Sequence, residues 1–138
     1  MLINSVEAKL WMAIKTRLDQ WTETPKYYPD DVFNPSANSA YLIIQDVSVE
    51  GDTRAVKVSC GEAIEGRLIV SVMVPLGWSW AQHKGLAGRV CDFLNASGDM
   101  VYLDASVRFN QRARSSGSPR LDQSWNRCEV IVPYRTWG

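Results

Sequence analysis

The sequence contains few of the residues that enzymes use to make or break bonds. It has one histidine, His83, among 138 residues, so every Cys–His or Ser–His arrangement would have to share it. No Gly-x-Ser-x-Gly motif accompanies it, and no phosphate-binding or dinucleotide-binding glycine motif is present. His83 also falls on the apolar side of a predicted helix, which favours a structural role. We therefore predict no catalytic residue, no cofactor and no enzymatic activity.

Cysteine is also scarce. Cys60, Cys91 and Cys128 are widely separated and lack both CxxC spacing and companion histidines, which argues against zinc-site and redox motifs. Three thiols in apolar sequence are typical of reduced core residues. Glu7 and Lys9 interrupt the apolar N-terminus, and the longest apolar run is about nine residues, half of what a membrane helix requires. We expect no metal site, no secretion signal and no membrane segment.

The chain has no excess of one charge sign. Lys and Arg together number 15, as do Asp and Glu, which argues against a general nucleic-acid-binding protein. However, residues 1–53 hold four basic and eight acidic side chains, whereas residues 54–138 hold eleven basic and seven acidic ones. Opposite charges in the two parts suit head-to-tail contact between copies of the chain, although a sample this small can also divide in this way by chance.

The most informative stretch runs from Arg67 to Leu94. In residues 67–74 most even-numbered and most odd-numbered positions are apolar. Alternate residues of a strand lie on opposite faces, so this pattern predicts a central strand covered on both faces, at least in part. Pro75 and Gly77 end this strand, and the period of a helix follows. The apolar side of that helix is formed by His83, Leu86, Ala87, Val90, Cys91 and Leu94. We expect the helix to pack on the strand.

Helical periodicity also predicts a first helix of about sixteen residues with one apolar side. That side is formed by Val6, Leu10, Ile14, Leu18 and Trp21. Asn4 or Ser5 can cap the helix, and Glu7 is the reciprocal member of a capping box. We expect the helix to end before Pro25, because proline disfavours helical dihedral angles at the residue before it.

Residues 22–40 contain three prolines and are predicted to form a long loop, with Tyr28 and Phe33 packed on the core. Two strands are predicted after it, Tyr41–Val49 and the half-exposed Val56–Cys60, joined by a turn at Gly51-Asp52. The connections between consecutive strands are too short for crossovers, which favours antiparallel pairing.

The C-terminal part adds shorter strands. Met100–Leu103 is predicted to be a short strand that resumes at Val107–Phe109, and Arg127–Tyr134 is predicted to be the last strand. The complete pattern predicts a single α+β (mixed α/β) domain over residues 1–138. We expect one mostly antiparallel or mixed sheet of four to five strands with two main helices packed on it. We expect mobile loops near residues 22–40 and 110–124.

Two sets of residues are candidates for an interface. The first is a run of arginines with no acidic residue between Ala105 and Arg120, formed by Arg108, Arg112, Arg114 and Arg120. A basic loop of this kind suits a solvated surface, contact with a nucleic-acid backbone, or docking on an acidic protein surface. The second is a set of tryptophans at turns or chain ends, where large aromatic residues often anchor interfaces: Trp78, Trp125 and Trp137. Trp11, Trp21 and Trp80 lie near helical stripes and are predicted to be core residues.

Several segments together resemble a known family. They are the one-sided first helix, YYPDDVFNP leading into YLIIQDV, RLIVSVMVPLG before a helix that ends RVCDFL, and the closing VIVPYR. In this order they cover most of the chain and are similar to the tail terminator (tail completion) proteins of long-tailed bacteriophages and prophages. The resemblance implies a sheet with helices packed on it and no catalytic residues.

The resemblance also implies a function. Family members assemble into six-membered rings that cap the finished tail tube, stop its polymerisation and present a surface to the head connector. The partners implied are copies of the chain, the tube protein and the connector protein, in the virion tail and, during assembly, in the host cytoplasm. Two alternatives stay open: another head–tail joining protein of the neck, and a small nucleic-acid-binding protein that uses Arg108–Arg120.

Overall fold

The computed structural model describes residues 6–31, 39–49, 63–103, 105–109, 112–115, 120–122 and 125–137. Within these ranges the chain forms two helices, α1 (Val6–Leu18) and α2 (Trp80–Asn95). The strands are β1 (Lys26–Tyr27), β2 (Tyr41–Val49), β3 (Ala63–Pro75), β4 (Asp99–Tyr102), β5 (Ala105–Phe109), β6 (Arg114–Ser115), β7 (Arg120–Asp122) and β8 (Trp125–Trp137).

All the described strands belong to one sheet, in the order β1-β2-β3-β8-β5-β4. β1 runs parallel to β2, and the other pairs are antiparallel. β3 lies between β2 and β8 and pairs with β8 along its whole length, from Ala63 opposite Trp137 to Pro75 opposite Trp125. The other edge of β8 is covered in succession by β7, β6 and β5. The predictions of a central β3 and of a mostly antiparallel, mixed sheet are therefore confirmed.

The long strands divide the sheet into two faces. The first face lies under the helices and carries side chains at most 2% exposed: Leu42, Ile44, Leu68, Val70, Val72, Val74, Cys128, Val130, Val132 and Tyr134. Burying a side chain of this size contributes about 1.5–3 kcal/mol, so this layer is the main source of stability. The second face carries the odd-numbered residues of β3 and β8. Ser71 and Met73 lie on it and are themselves 0% and 3% exposed, which confirms that β3 is partly covered on both sides.

α1 forms because its sequence consists largely of good helix formers and contains neither Gly nor Pro. Its buried side is made of Leu10, Ala13, Ile14 and Leu18. The helix ends at Leu18, earlier than predicted, and the Trp21 N–H donates to the Leu18 carbonyl at 3.0 Å. Trp21 is therefore buried after the helix rather than on it, with its indole N–H donating to Thr24 Oγ1 at 2.9 Å. Pro25 lies too far along the chain to be what ends the helix.

α2 begins at Trp80 because Ser79 caps it. The Ser79 hydroxyl accepts a hydrogen bond from the Gln82 N–H at 3.2 Å, and the Gln82 side chain accepts one from the Ser79 N–H at 3.0 Å. These two bonds form a capping box. His83 Nε2 lies 2.9 Å from the Val72 carbonyl oxygen. The prediction that this helix packs on β3 is confirmed.

Arg17 joins the two helices. Its Nε donates to Ser97 Oγ at 2.9 Å and its Nη2 to the Phe93 carbonyl at 2.8 Å. The guanidinium carbon also lies 4.0 Å from the centroid of the Phe93 ring. A cation at the carbonyl end of α2 is favourable for the helix dipole, so Arg17 fixes α1 against the last turn of α2.

The expected four to five strands are too few. β1, β6 and β7 have only two or three residues each, which is too short to show alternation. β4 and β5 pair as an antiparallel hairpin instead of forming one resumed strand, with Leu103 in the left-handed region (φ 55°) in the turn. The stretches predicted as loops, residues 22–40 and 110–124, contain β1, β6 and β7 and are therefore not loops throughout. The last strand is longer than the predicted Arg127–Tyr134.

Some predictions fall outside the described residues. These are the cap at Asn4 or Ser5, the packing of Phe33, and the strand Val56–Cys60 with its turn at Gly51-Asp52. The mobility of the two loops also stays a prediction.

Candidate assembly interface

The single histidine lies in the core. His83 is 1% exposed. Its Nε2 carries the proton, because it lies 2.9 Å from the Val72 carbonyl oxygen, which can only accept a hydrogen bond. Its Nδ1 is buried without a hydrogen-bond partner among the described residues. Burial lowers the pKa of His83, and the bond to the Val72 carbonyl opposes this only in part. The neutral ring therefore acts as a packed core residue, as the sequence pattern predicted.

Cys91 and Cys128 carry thiols that are not joined in a disulfide. Cys128 is buried in β8, and Cys91 is half-buried on α2. Burial raises the pKa of Cys91, as does the neighbouring Asp92 carboxylate, whereas Arg112 lowers it. No cluster of His, Cys, Asp and Glu in the described part of the chain can hold a metal ion. Cys60 lies outside that part.

Two tryptophans lie at the start of α2. Trp78 is half-buried and packs against the core, whereas Trp80 is 56% exposed, with Lys84 Nζ 5.4 Å from its ring centroid. The core prediction for Trp80 is wrong, because Trp80 is the first residue of the helix and precedes His83, the first buried residue of α2. Leu76, in the same turn, is 52% exposed.

Trp125 is held by aromatic contacts within the chain. It lies at the start of β8 and is half-buried, and its ring stacks edge-on against Tyr41 with centroids 4.9 Å apart. Tyr41 in turn stacks edge-on against Tyr27 at 5.7 Å. These rings form a row across β1, β2 and β8. Trp137 lies in β8, where the structure describes only its backbone.

The predicted arginine loop is divided over three strands. Arg108 lies in β5, is exposed, and pairs with Asp99 at 2.7 Å, a hydrogen bond that raises the pKa of Arg108. Arg112 precedes β6 and Arg114 lies in it, and both are exposed. Neither makes an ion pair with any residue that the structure describes. Arg120 lies in β7, where its Cα is paired with that of Arg127.

Strand pairing places further arginines beside these. Arg67, Arg127 and Arg135 occupy odd positions of β3 and β8, so they share the second face of the sheet with Arg108 and Arg114. Arg127 donates from Nη2 to the buried Ser71 hydroxyl at 2.9 Å. The carboxylates of Asp99 and Glu129 lie on the same face. The alternation of apolar and polar residues in the last strand could have indicated that Arg127 and Arg135 lie on its polar side. Assigning them to the same face as the other arginines required knowledge of the strand pairing.

The structure shows a second charged region that the sequence did not indicate as an interface, because its acidic residues occur singly or in a loop. The acidic segment, residues 19–31, leads into and out of β1 at the opposite edge of the sheet. Its acids are all exposed: Asp19, Glu23, Asp30 and Asp31. Glu23 pairs with Arg89 at 2.7 Å, and Asp31 accepts from the Tyr28 N–H at 2.8 Å.

Tyr28 holds this segment to α1. Its hydroxyl donates to the Asp19 carboxylate, its ring lies edge-on to Trp11 at 5.7 Å, and the side chain is 8% exposed. Burial raises the pKa of Tyr28, and the bond to Asp19 raises it further. The prediction that Tyr28 packs on the core is confirmed, and the acidic segment therefore has a fixed position on the sheet edge.

No helix in the described ranges is long and apolar enough to cross a membrane.

Comparison with known proteins gives a family and a fold. A family model described as phage tail terminator protein matches residues 9–134. A solved structure of a protein without a functional name is 18% identical, with a TM-score of 0.74 over 94% of each chain. A chain in the solved virion of a native gene transfer agent particle is 20% identical, with a TM-score of 0.67 over 99% of this chain and 100% of that one. No curated protein sequence matches. The structural likenesses show a shared fold, and the match over residues 9–134 shows that this chain belongs to the phage tail terminator family.

Proposed function

We propose that this protein is the tail terminator of a long-tailed phage or prophage. It forms a six-membered ring on the end of the finished tail tube, stops polymerisation of the tube and offers a surface to the head connector. The observation that carries this proposal is the family match over residues 9–134. A fold shared with a chain of a virion particle supports it.

The chemistry of the described residues supports a structural role. His83 is held neutral in the core with its Nε2–H on a backbone carbonyl, so it is not available to activate a nucleophile. Exposed charged groups of opposite sign occur on two surfaces: Arg67, Arg108 and Arg114 on the second face of the sheet, and Asp19, Glu23, Asp30 and Asp31 at the β1 edge. Surfaces of opposite charge are what an assembly protein needs to recognise its neighbours.

The experiment is polymerisation of the purified tube protein with and without this protein, followed by electron microscopy of tube lengths. We expect that added protein stops elongation and appears as a ring at one tube end, and that native mass spectrometry gives the mass of six subunits. Tubes of unchanged length with no bound ring would overturn the proposal. Boiled protein and buffer alone are the controls for non-specific effects.

A neck protein of the same class is distinguished by deleting the gene in its phage. Loss of a terminator gives tails of abnormal length, because nothing stops the tube. Loss of another head–tail joining protein gives tails of normal length that fail to join heads. Restoring the gene on a plasmid should reverse either defect, which excludes an effect on neighbouring genes.

A second candidate function is nucleic-acid binding, which the exposed Arg112 and Arg114 favour. Phosphate contacts would make retention on a DNA column fall steeply with salt. In a plot of the logarithm of the binding constant against the logarithm of the salt concentration, the slope should be roughly minus one per arginine that contacts a phosphate. Replacing both arginines with glutamine should then abolish retention. On the same sheet face Glu129 opposes phosphate binding, whereas Asp99 is paired with Arg108.

A further inference from the structure

We propose that neighbouring copies of this protein join through opposite edges of their sheets, with Arg112 and Arg114 of one copy contacting the acidic segment of the next. This inference rests on the proposed ring and names the surfaces that would form it. The partner is therefore a second copy of this chain, and the contact is between two different surfaces.

The first step is the position of the two charged regions. β6, which contains Arg114, lies beside β8, whereas the acidic segment flanks β1. From β1 the sheet passes through β2, β3 and β8 before it reaches β6. At a strand spacing of about 4.8 Å the path along the sheet between the two regions is roughly 19 Å. The Debye length is about 8 Å at physiological salt, so the two regions do not neutralise each other within one chain.

The second step is the symmetry that such an arrangement permits. In a two-fold dimer both surfaces would have to face the same partner. The two regions lie at different edges of the sheet, so one copy can offer its basic surface to one neighbour and its acidic surface to another. Contacts of this heterologous kind generate a ring when the rotation closes.

The third step is whether the charged groups are available for a new contact. Arg112 and Arg114 are exposed and make no ion pair within the described ranges, and guanidinium groups bind carboxylates in a bidentate manner. On the other side Asp30 is exposed, and Glu23 pairs with Arg89 through side chains that are 42% and 53% exposed. An exposed pair of this kind contributes little to stability, so Glu23 can exchange Arg89 for an arginine of the next copy.

The chemistry favours carboxylates over phosphates as the partner. The face that carries Arg114 also carries acids among its arginines: Asp99 is paired with Arg108, and Glu129 would repel a polyanion that crossed it. A protein surface with two or three carboxylates at fixed positions avoids this repulsion. The acidic segment is such a surface, because the bond from Tyr28 to Asp19 and the packing of Tyr28 hold it in place.

The test is a charge exchange between two variants. One carries Arg112→Glu with Arg114→Glu, and the other carries Glu23→Lys with Asp30→Lys. Each variant alone brings like charges together at every contact, and we expect its self-association to weaken on the order of a hundredfold. An equimolar mixture restores opposite charges at both contacts of each subunit. We therefore expect the mixture to form rings in which the two variants alternate, in equal numbers.

Ring formation is measured by native mass spectrometry in solution and by electron microscopy on tube ends, for the wild type, each variant, the mixture and Lys84→Glu. Lys84→Glu reverses a charge on the exposed side of α2 and should assemble like the wild type. Melting temperatures of all variants should stay within a few degrees of each other.

The outcomes separate this inference from the proposed function. If the wild type forms no ring and does not bind tube ends, both proposals are wrong. If the wild type forms rings and either variant alone does so equally well, only the pairing of these surfaces is wrong. Folded variants that fail alone and also fail when mixed would likewise overturn the pairing alone. An arginine variant that keeps its rings but loses retention on a DNA column would assign these arginines to nucleic acid instead.

Discussion

Replacement of Val72 tests the assignment of β3 as the centre of the fold. Val72 is 0% exposed and lies between Leu42 of β2 and Cys128 of β8. Val72→Ala removes two buried methyl groups at about 0.8 kcal/mol each, and the cavity left behind raises the cost to about 2 kcal/mol. Val72→Thr keeps the shape but buries a hydroxyl, at a cost of about 1–3 kcal/mol. Val72→Asp buries a carboxylate without a cation beside it and should cost several kcal/mol.

These costs are measurable against the stability of an ordinary domain. Stabilities of about 5–15 kcal/mol are usual, and for this length each kcal/mol corresponds to about 3–5 °C in melting temperature. We therefore expect Val72→Ala to melt about 6–10 °C lower than the wild type and Val72→Asp to be largely unfolded. In urea titrations the slope of the unfolding free energy against urea concentration should be the same for Val72→Ala and Val72→Thr as for the wild type, because the fold itself is kept.

Val101 provides the matched control. It has the same side chain in the edge strand β4 but is 61% exposed. The corresponding changes there should stay within about 1 kcal/mol, the range of strand propensities. A Val72→Asp protein that melts within a degree or two of the wild type would refute the central position of β3.

Three further predictions concern single groups or segments. Burial lowers the pKa of His83, so below about pH 6.5 the unfolded chain binds a proton that the folded chain does not. The free energy of unfolding should therefore be highest above that pH and should fall as the pH drops below it. Urea midpoints at pH 7.5 and 5.5 should show this loss in the wild type, and His83→Gln should lessen it; an equal loss in both would assign it to other groups. Ser79→Ala removes the cap of α2 and should cost about 1 kcal/mol in the same titrations, whereas no change would mean that the cap is replaced by water. Residues 111–119 include Ser115 to Pro119 without a large apolar side chain, so amide relaxation should show lower order parameters there than in α2, and equal values would contradict the predicted mobility.

The sequence alone predicted those parts of the fold that local periodicity determines. The apolar runs of β2 and β3 and the apolar side of α2 are formed by residues close together in the chain, so their pattern identifies them without knowledge of their partners. β6 and β7 are different, because two or three residues have no period, and they are strands only through the neighbouring edge of β8. The strand count was underestimated for this reason.

The candidate site was predicted less completely, because a surface is a property of the assembled sheet. Arg108 and Arg114 were identified as neighbours in the chain. Arg67 and Arg135 join them only because β3, β8 and β5 pair in a particular register. Trp80 was predicted to be buried because it lies on the apolar stripe of its helix. Its ring is exposed because Trp80 is the first residue of α2.

The coverage of β8 bears on how copies can meet. A long strand with a free edge invites pairing with another chain, and proteins commonly protect such edges with short, charged segments. Here β7, β6 and β5 occupy successive parts of that edge, and β6 brings Arg114 opposite Ile131. The backbone groups used in this pairing are no longer available for strand addition, whereas the Arg114 side chain points away from the core and is exposed. The edge of β8 itself is therefore closed to strand addition, and changing the charge of Arg114 should alter a contact made by its side chain without altering the pairing of the strand that carries it.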